Sequence, residues 1–173
     1  MTVTLLTSQS APATANADAL VTGVFQGQDG PVLTPITDEI DLMAALTALG
    51  ATGKAEEITK IPTTGLAGES GGVVPPGQQR PGIPVVAAVG LGPEPGGPAD
   101  RPAYLERLRR AAGAAARDLT AGAPAKAKRV AIALPAGEPD EAEAVALGAL
   151  LGSYSFRKYR TSSAAPGDVE LIV

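Results

Sequence analysis

The chain of 173 residues contains no cysteine, no histidine and no tryptophan, and its aromatic side chains are three Tyr and two Phe. Each absence removes a class of chemistry. Without Cys there is no disulfide, no thiol nucleophile and no thiolate metal site. Without His there is no Ser–His–Asp triad, no imidazole general base and no His-ligated zinc. Carboxylates, backbone carbonyls and Lys remain as metal donors. Large apolar side chains are also scarce, because much of the 45% hydrophobic content is Ala. A core made of such material is expected to form by close approach of elements rather than by interlocking large side chains. No apolar run is long enough to span a membrane, and the start, MTVTLLTSQSAPA, lacks the positively charged n-region of a signal peptide. The expectation is a cytoplasmic protein with no membrane partner.

What is present fits a single ordinary domain. The 21 Gly and 16 Pro stay below a low-complexity share, and 45% hydrophobic with 18% charged is not a disordered composition. The net charge of −4 hides an asymmetry: residues 1–100 carry −7, residues 101–160 carry +5, and the tail carries −2. Overall acidity argues against a dedicated nucleic-acid binder, while the basic segment keeps DNA in view as a partner.

Val3–Leu6 and Asp18–Phe25 read as strands, with Pro31–Leu33 pairing back as a hairpin. Thr37-Asp38-Glu39 opens a helix whose apolar positions are Leu42, Ala45, Leu46 and Leu49, and Gly50 stops it. Glu56–Ile61 is expected as a strand ended by Pro62. A flexible Gly/Pro loop follows at about 63–82. Ile83–Val89 is a continuous apolar run of the kind covered on both faces. An amphipathic helix from about Pro102 to Leu119 and a second buried strand, Val130–Leu134, complete a βαβ unit. Pro139-Asp140-Glu141 opens the last helix, with Ala142, Val145, Ala146, Ala149 and Leu150 as its buried face, and Val169–Val173 closes the sheet. The fold class is α/β: a mixed sheet flanked by helices.

Each phosphate-binding resemblance fails on its spacing. Gly90-Leu91-Gly92 has Pro95 where a dinucleotide fingerprint needs its third glycine, and its helix starts late, so it reads as a tight turn. Gly50-Ala51-Thr52-Gly53-Lys54 has Ala48 and Ala55 at two positions a phosphate loop requires, so it reads as a helix stop with a solvated lysine. The acids Asp38, Glu39, Asp41, Asp140, Glu141 and Glu143 fit first helical turns, and Glu56 and Glu57 fall on opposite sides of a presumed strand. No catalytic, cofactor or metal residue is assigned. The candidate basic surface is Arg107, Arg110, Arg117, Lys126, Lys128 and Arg129, read as a solvated face or subunit contact, with a nucleic-acid surface as the alternative. Tyr154, Phe156 and Tyr159 are read either as a lock onto the sheet or as an interdomain contact.

Four segments together resemble the N-terminal domain of the leucyl aminopeptidase (cytosol aminopeptidase) family. They are Val86–Gly92, Tyr104–Ala116, Arg129–Pro135 and Glu143–Arg160, the last with its small-residue helix and aromatic-x-aromatic-x-x-Tyr-basic ending at Tyr154, Phe156, Tyr159 and Arg160. The resemblance implies a macro-domain-like fold and a non-catalytic assembly or regulatory domain of a cytosolic metallo-aminopeptidase. In such enzymes a separate C-terminal domain holds two divalent ions, manganese or zinc, through Asp, Glu and Lys, and subunits form a hexamer. The N-T-D-A-E-G-R motif of that domain is absent here, so the chain itself is expected not to be an enzyme. Asn16–Val21 also resembles a strand entry of macro domains, which bind ADP-ribose. There the ribose-contacting Asn-Ala-Ala-Asn is replaced by Thr22-Gly23-Val24-Phe25. A nucleotide-binding macro-like domain and a DNA-binding accessory domain are the alternatives.

Overall fold

The computed structural model describes residues 2–9, 15–34, 42–63, 83–121, 127–154 and 168–173. The expected loop at 63–82 and the helix start at Thr37 therefore lie outside the described residues, Thr63 excepted. Seven strands are present among the described residues: β1 (Val3–Leu6), β2 (Ala19–Gln26), β3 (Pro31–Leu33), β4 (Ile58–Pro62), β5 (Val85–Gly92), β6 (Arg129–Ala133) and β7 (Val169–Ile172). The helices are α1 (Leu42–Ala48), α2 (Arg101–Thr120) and α3 (Pro139–Ser153).

The sheet runs β1-β7-β6-β2-β5-β4, with β3 paired to the end of β2. All neighbours from β1 to β5 are parallel, whereas β3 and β4 are antiparallel. The mixed sheet expected from the sequence is thus observed. β2 and β5 are buried along nearly their whole length because the sheet is covered on both faces there. Strand alternation divides their side chains. Ala19, Val21, Phe25, Ala87, Val89 and Leu91 meet α2 and α3, while Leu20, Val24, Val86 and Ala88 meet the α1 side.

α1 ends in a left-handed glycine cap. Gly50 has φ 72°, its N–H donates to the Thr47 carbonyl, and the Ala51 N–H donates to the Leu46 carbonyl. Leu42 and Leu46 are fully buried, but Leu49, expected on the same face, lies beyond the helix and is 57% exposed. α3 begins at Pro139, as its Pro-Asp-Glu opening implies, and adds a capping box in which Glu138 and Glu141 serve each other's backbone.

α2 and α3 run side by side in the same direction, and glycine sets their spacing. A Cβ on Gly148 would lie 2.0 Å from the Arg109 carbonyl oxygen, and one on Gly152 would lie 2.1 Å from the Gly113 carbonyl oxygen. The close approach expected from a small-residue composition is realised here. Its place differs from the sequence expectation. The buried face of α3 is Val145, Gly148, Ala149, Gly152 and Ser153, while Leu150 is 37% exposed. Gly148 and Gly152 offer no side chain for a hydropathy pattern to count, yet they are the surface that α2 touches.

Candidate interaction surface

Arg101, at the start of α2, bridges to Asp140 and Glu141 in the first turn of α3, at 2.5 and 3.3 Å. Hydrogen bonding to Arg101 leads the causes that hold the Asp140 carboxyl below its ordinary value. Tyr104, one turn on, is pushed up to about 12 by burial and then by the Glu141 charge. These contacts occupy the acids at the head of α3 structurally. Among the described residues no group of three or more carboxylates could hold a metal ion.

Glu56 and Glu57 also diverge, but not as alternate residues of a strand. β4 begins at Ile58, and Glu56 sits before it with φ 64°. The Glu57 N–H donates to the Lys54 carbonyl, closing a tight turn with Glu56 at the position glycine favours. The Glu56 carboxylate reaches Arg110 at 2.6 Å, and Glu57 accepts from the Thr52 amide and hydroxyl at 2.9 and 2.8 Å. Burial opposes the Glu57 charge, but the hydrogen bonds from Thr52 and from the amides of Lys54 and Gly53 hold its carboxyl below the ordinary value.

Gly90 and Gly92, expected as a tight turn, instead finish strand β5. A Cβ on Gly90 would fall 1.9 Å from the Lys54 carbonyl oxygen, so the 53–54 backbone lies directly against the strand. Gly92 donates to the Gly53 carbonyl, and α2 starts only at Arg101. Neither glycine motif therefore meets the helix N-terminus that phosphate binding needs. Thr22–Phe25, which the macro-domain resemblance would set at a ribose, are buried within β2. Asp18, just before that strand, accepts the amides of Lys128 and Arg129 at 2.8 and 2.9 Å and fixes the start of β6 beside β2.

The candidate basic residues take separate roles. Arg107 donates to the Pro93 carbonyl and lies 5.9 Å from the Tyr104 ring centroid, bracing the loop before α2. Arg110 is paired with Glu56. Arg129 forms an ion pair with Glu170 at 3.2 Å, on the sheet face opposite α2. Lys128 is exposed at the start of β6, and Lys126 lies outside the described residues. Arg110 and Arg117 do converge. With Arg109 they border a groove of about 200 Å³ whose other wall is Gly148, Leu151 and Gly152 of α3. Of the aromatic trio, Tyr154 caps α3 and is 70% exposed, whereas Phe156 and Tyr159 lie outside the described residues. The hydropathy pattern of α3 hides the exposed leucines beside Tyr154, because it places Leu150 in the core while the buried positions 148 and 152 are glycines.

The chain matches the family described as "Cytosol aminopeptidase family, N-terminal domain" over residues 21–163. It is 43% identical to a probable cytosol aminopeptidase of Streptomyces griseus over 96% of this chain and 30% of the relative. A probable cytosol aminopeptidase of Streptomyces coelicolor is 43% identical over 94% of this chain and 28% of its own length. Among solved structures, a mutant of tomato leucine aminopeptidase matches with TM-score 0.59 and 18% identity, covering 99% of this chain and 32% of that one. The bottromycin maturation enzyme BotP, solved in complex with Mn, matches with TM-score 0.55 and 22% identity over 91% of this chain and 26% of its own. Those two likenesses concern the fold. The chain thus spans about 30% of the length of its curated relatives, and it belongs to the cytosol aminopeptidase family, as the N-terminal domain.

Proposed function

We propose that this domain serves assembly and regulation, without catalysing, in a cytoplasmic metallo-aminopeptidase that removes N-terminal residues such as leucine from peptides. The observation that carries the reading is one of proportion. Relatives named for the aminopeptidase activity align with 96% of this chain, which covers only 30% of the relative. The hydrolytic machinery, with its two manganese or zinc ions, is assigned to the part this chain does not span. The described carboxylates support that division: Glu56, Glu106, Asp118, Asp140, Glu141 and Glu170 pair with Lys or Arg, Asp18 accepts backbone amides, and Glu57 accepts the Thr52 amide and hydroxyl. In the proposed parent, a homo-hexamer, this domain contributes subunit contacts.

The test compares the purified chain with the full-length protein on leucine p-nitroanilide, with manganese or zinc added. Turnover is expected only from the full-length protein. Sustained metal-dependent turnover by the chain alone would overturn the non-catalytic assignment. In a second arm, this domain is deleted from the full-length protein and the number of subunits per assembly is measured. An unchanged subunit number would overturn the assembly role.

A further inference from the structure

Seven large hydrophobic side chains are exposed among the described residues, and four of them share one face of α3: Leu147, Leu150, Leu151 and Tyr154, at 45, 37, 54 and 70%. Their spacing is i, i+3, i+4, i+7, the stripe by which a helix packs on a partner. The same face carries Glu143 one turn earlier, exposed and with no ion pair among the described residues. Beside the apolar stripe, across the glycine-floored groove, stand Arg110 and Arg117 of α2. Arg110 is held by Glu56, while Arg117 is exposed and has no ion pair among the described residues.

These features specify the occupant. It must be a helix with its own apolar stripe and a carboxylate one turn N-terminal to that stripe. It must run antiparallel to α3, so that its acidic end meets Arg117, which follows Gly113, the residue packed on Gly152, by one turn and so lies at the C-terminal end of α3. α3 itself fits this description. We propose that α3 packs antiparallel against α3 of a second copy of the chain, about a twofold axis near Leu147 and Leu150, with Glu143 of each copy facing Arg117 of the other. Twofold symmetry makes each contact twice and closes the assembly at two chains. The apolar stripes supply the attraction, and the two charge pairs fix the direction. The pairing stands independently of the aminopeptidase reading.

Sedimentation equilibrium of the purified chain tests it directly. The expected result is twice the chain mass, with a dissociation constant on the order of 10 μM, typical of a small interface. Leu151→Glu should give a monomer with an unchanged circular dichroism spectrum, since the side chain is exposed. Arg117→Glu should weaken the dimer about tenfold by opposing two like charges at each end. Adding Glu143→Arg to that variant should restore it. A wild-type chain that stays monomeric at about 500 μM, far above that constant, would assign the face to another partner and overturn the proposal. Dimerisation by Leu151→Glu at the wild-type affinity would also overturn it, as would a charge swap that fails to rescue.

Discussion

Thr22 is completely buried in the middle of β2, flanked in register by Ala88 and Ala133, and its hydroxyl has no hydrogen-bond partner among the described residues. An unpaired buried hydroxyl carries its desolvation cost without return, whereas a valine of similar shape would not. Thr22→Val is therefore expected to stabilise the domain by about 1 kcal/mol in urea unfolding; a loss of stability would reveal a partner for the hydroxyl. Glu57 is the opposite case, a carboxylate over-supplied with donors. Its folded value lies below the ordinary 4.5. Its contribution is thus fully present above the unfolded value and is lost as pH falls through the folded one. The Thr52 amide resonance should titrate with a midpoint below 4.5 and lose that titration in Glu57→Gln. A midpoint at or above the ordinary value would contradict the hydrogen-bond assignment. Neither the buried Thr22 nor the turn residue Glu56 that precedes Glu57 announces its state in the sequence. A threonine in a strand reads as ordinary β propensity, and a left-handed Glu56 is a conformation that propensity argues against.

Element types were legible where composition and period agree. The apolar run of β5, the amphipathic pattern of α2 and the Pro-Asp-Glu opening of α3 all form as their residues imply. Faces were legible only where the contact is made by side chains. α2 buries Leu108, Ala112, Ala115, Ala116 and Leu119 as its period requires. α3 turns glycines toward α2 and leucines toward solvent, so its pattern reads inverted. That inversion has a measurable consequence. In Gly148→Ala the new methyl would meet the Arg109 carbonyl, which is helix backbone and has no rotamer to yield. Moving the two helices apart is expected to cost about 1–3 kcal/mol. Gly97→Ala is the control, because nothing lies within 4 Å of its Cβ position and its φ of 167° is extended backbone. Thermal denaturation should separate the two variants clearly. Equal melting temperatures would mean that α2 and α3 do not touch through backbone.

At the scale of the molecule, the family match ends at residue 163, before β7, and starts after β1, yet the sheet depends on both. β7 is inserted between β6 and β1, so the last strand is an inner one. The Thr2 amide donates to Asp168, and Val3 through Leu6 pair in register with Val169 through Ile172, joining the two ends of the chain. Val169 and Leu171 are 2% and 0% exposed and pack in the same core as α2 and α3. Burial of two such side chains contributes about 3–6 kcal/mol, a large share of a stability of about 5–15 kcal/mol. Removing residues 168–173 also strands β1, whose only neighbour in the sheet among the described residues is β7. Removing residues 1–6 instead takes away an edge strand whose Val3 and Leu5 are only partly buried. A chain ending at Gly167 is therefore expected to lose its cooperative thermal transition, while a chain starting at Thr7 keeps one at a lower temperature. The order of these two effects is the decisive reading. If the shorter C-terminus melts as cooperatively as the whole chain, β7 is not the strand that closes this sheet.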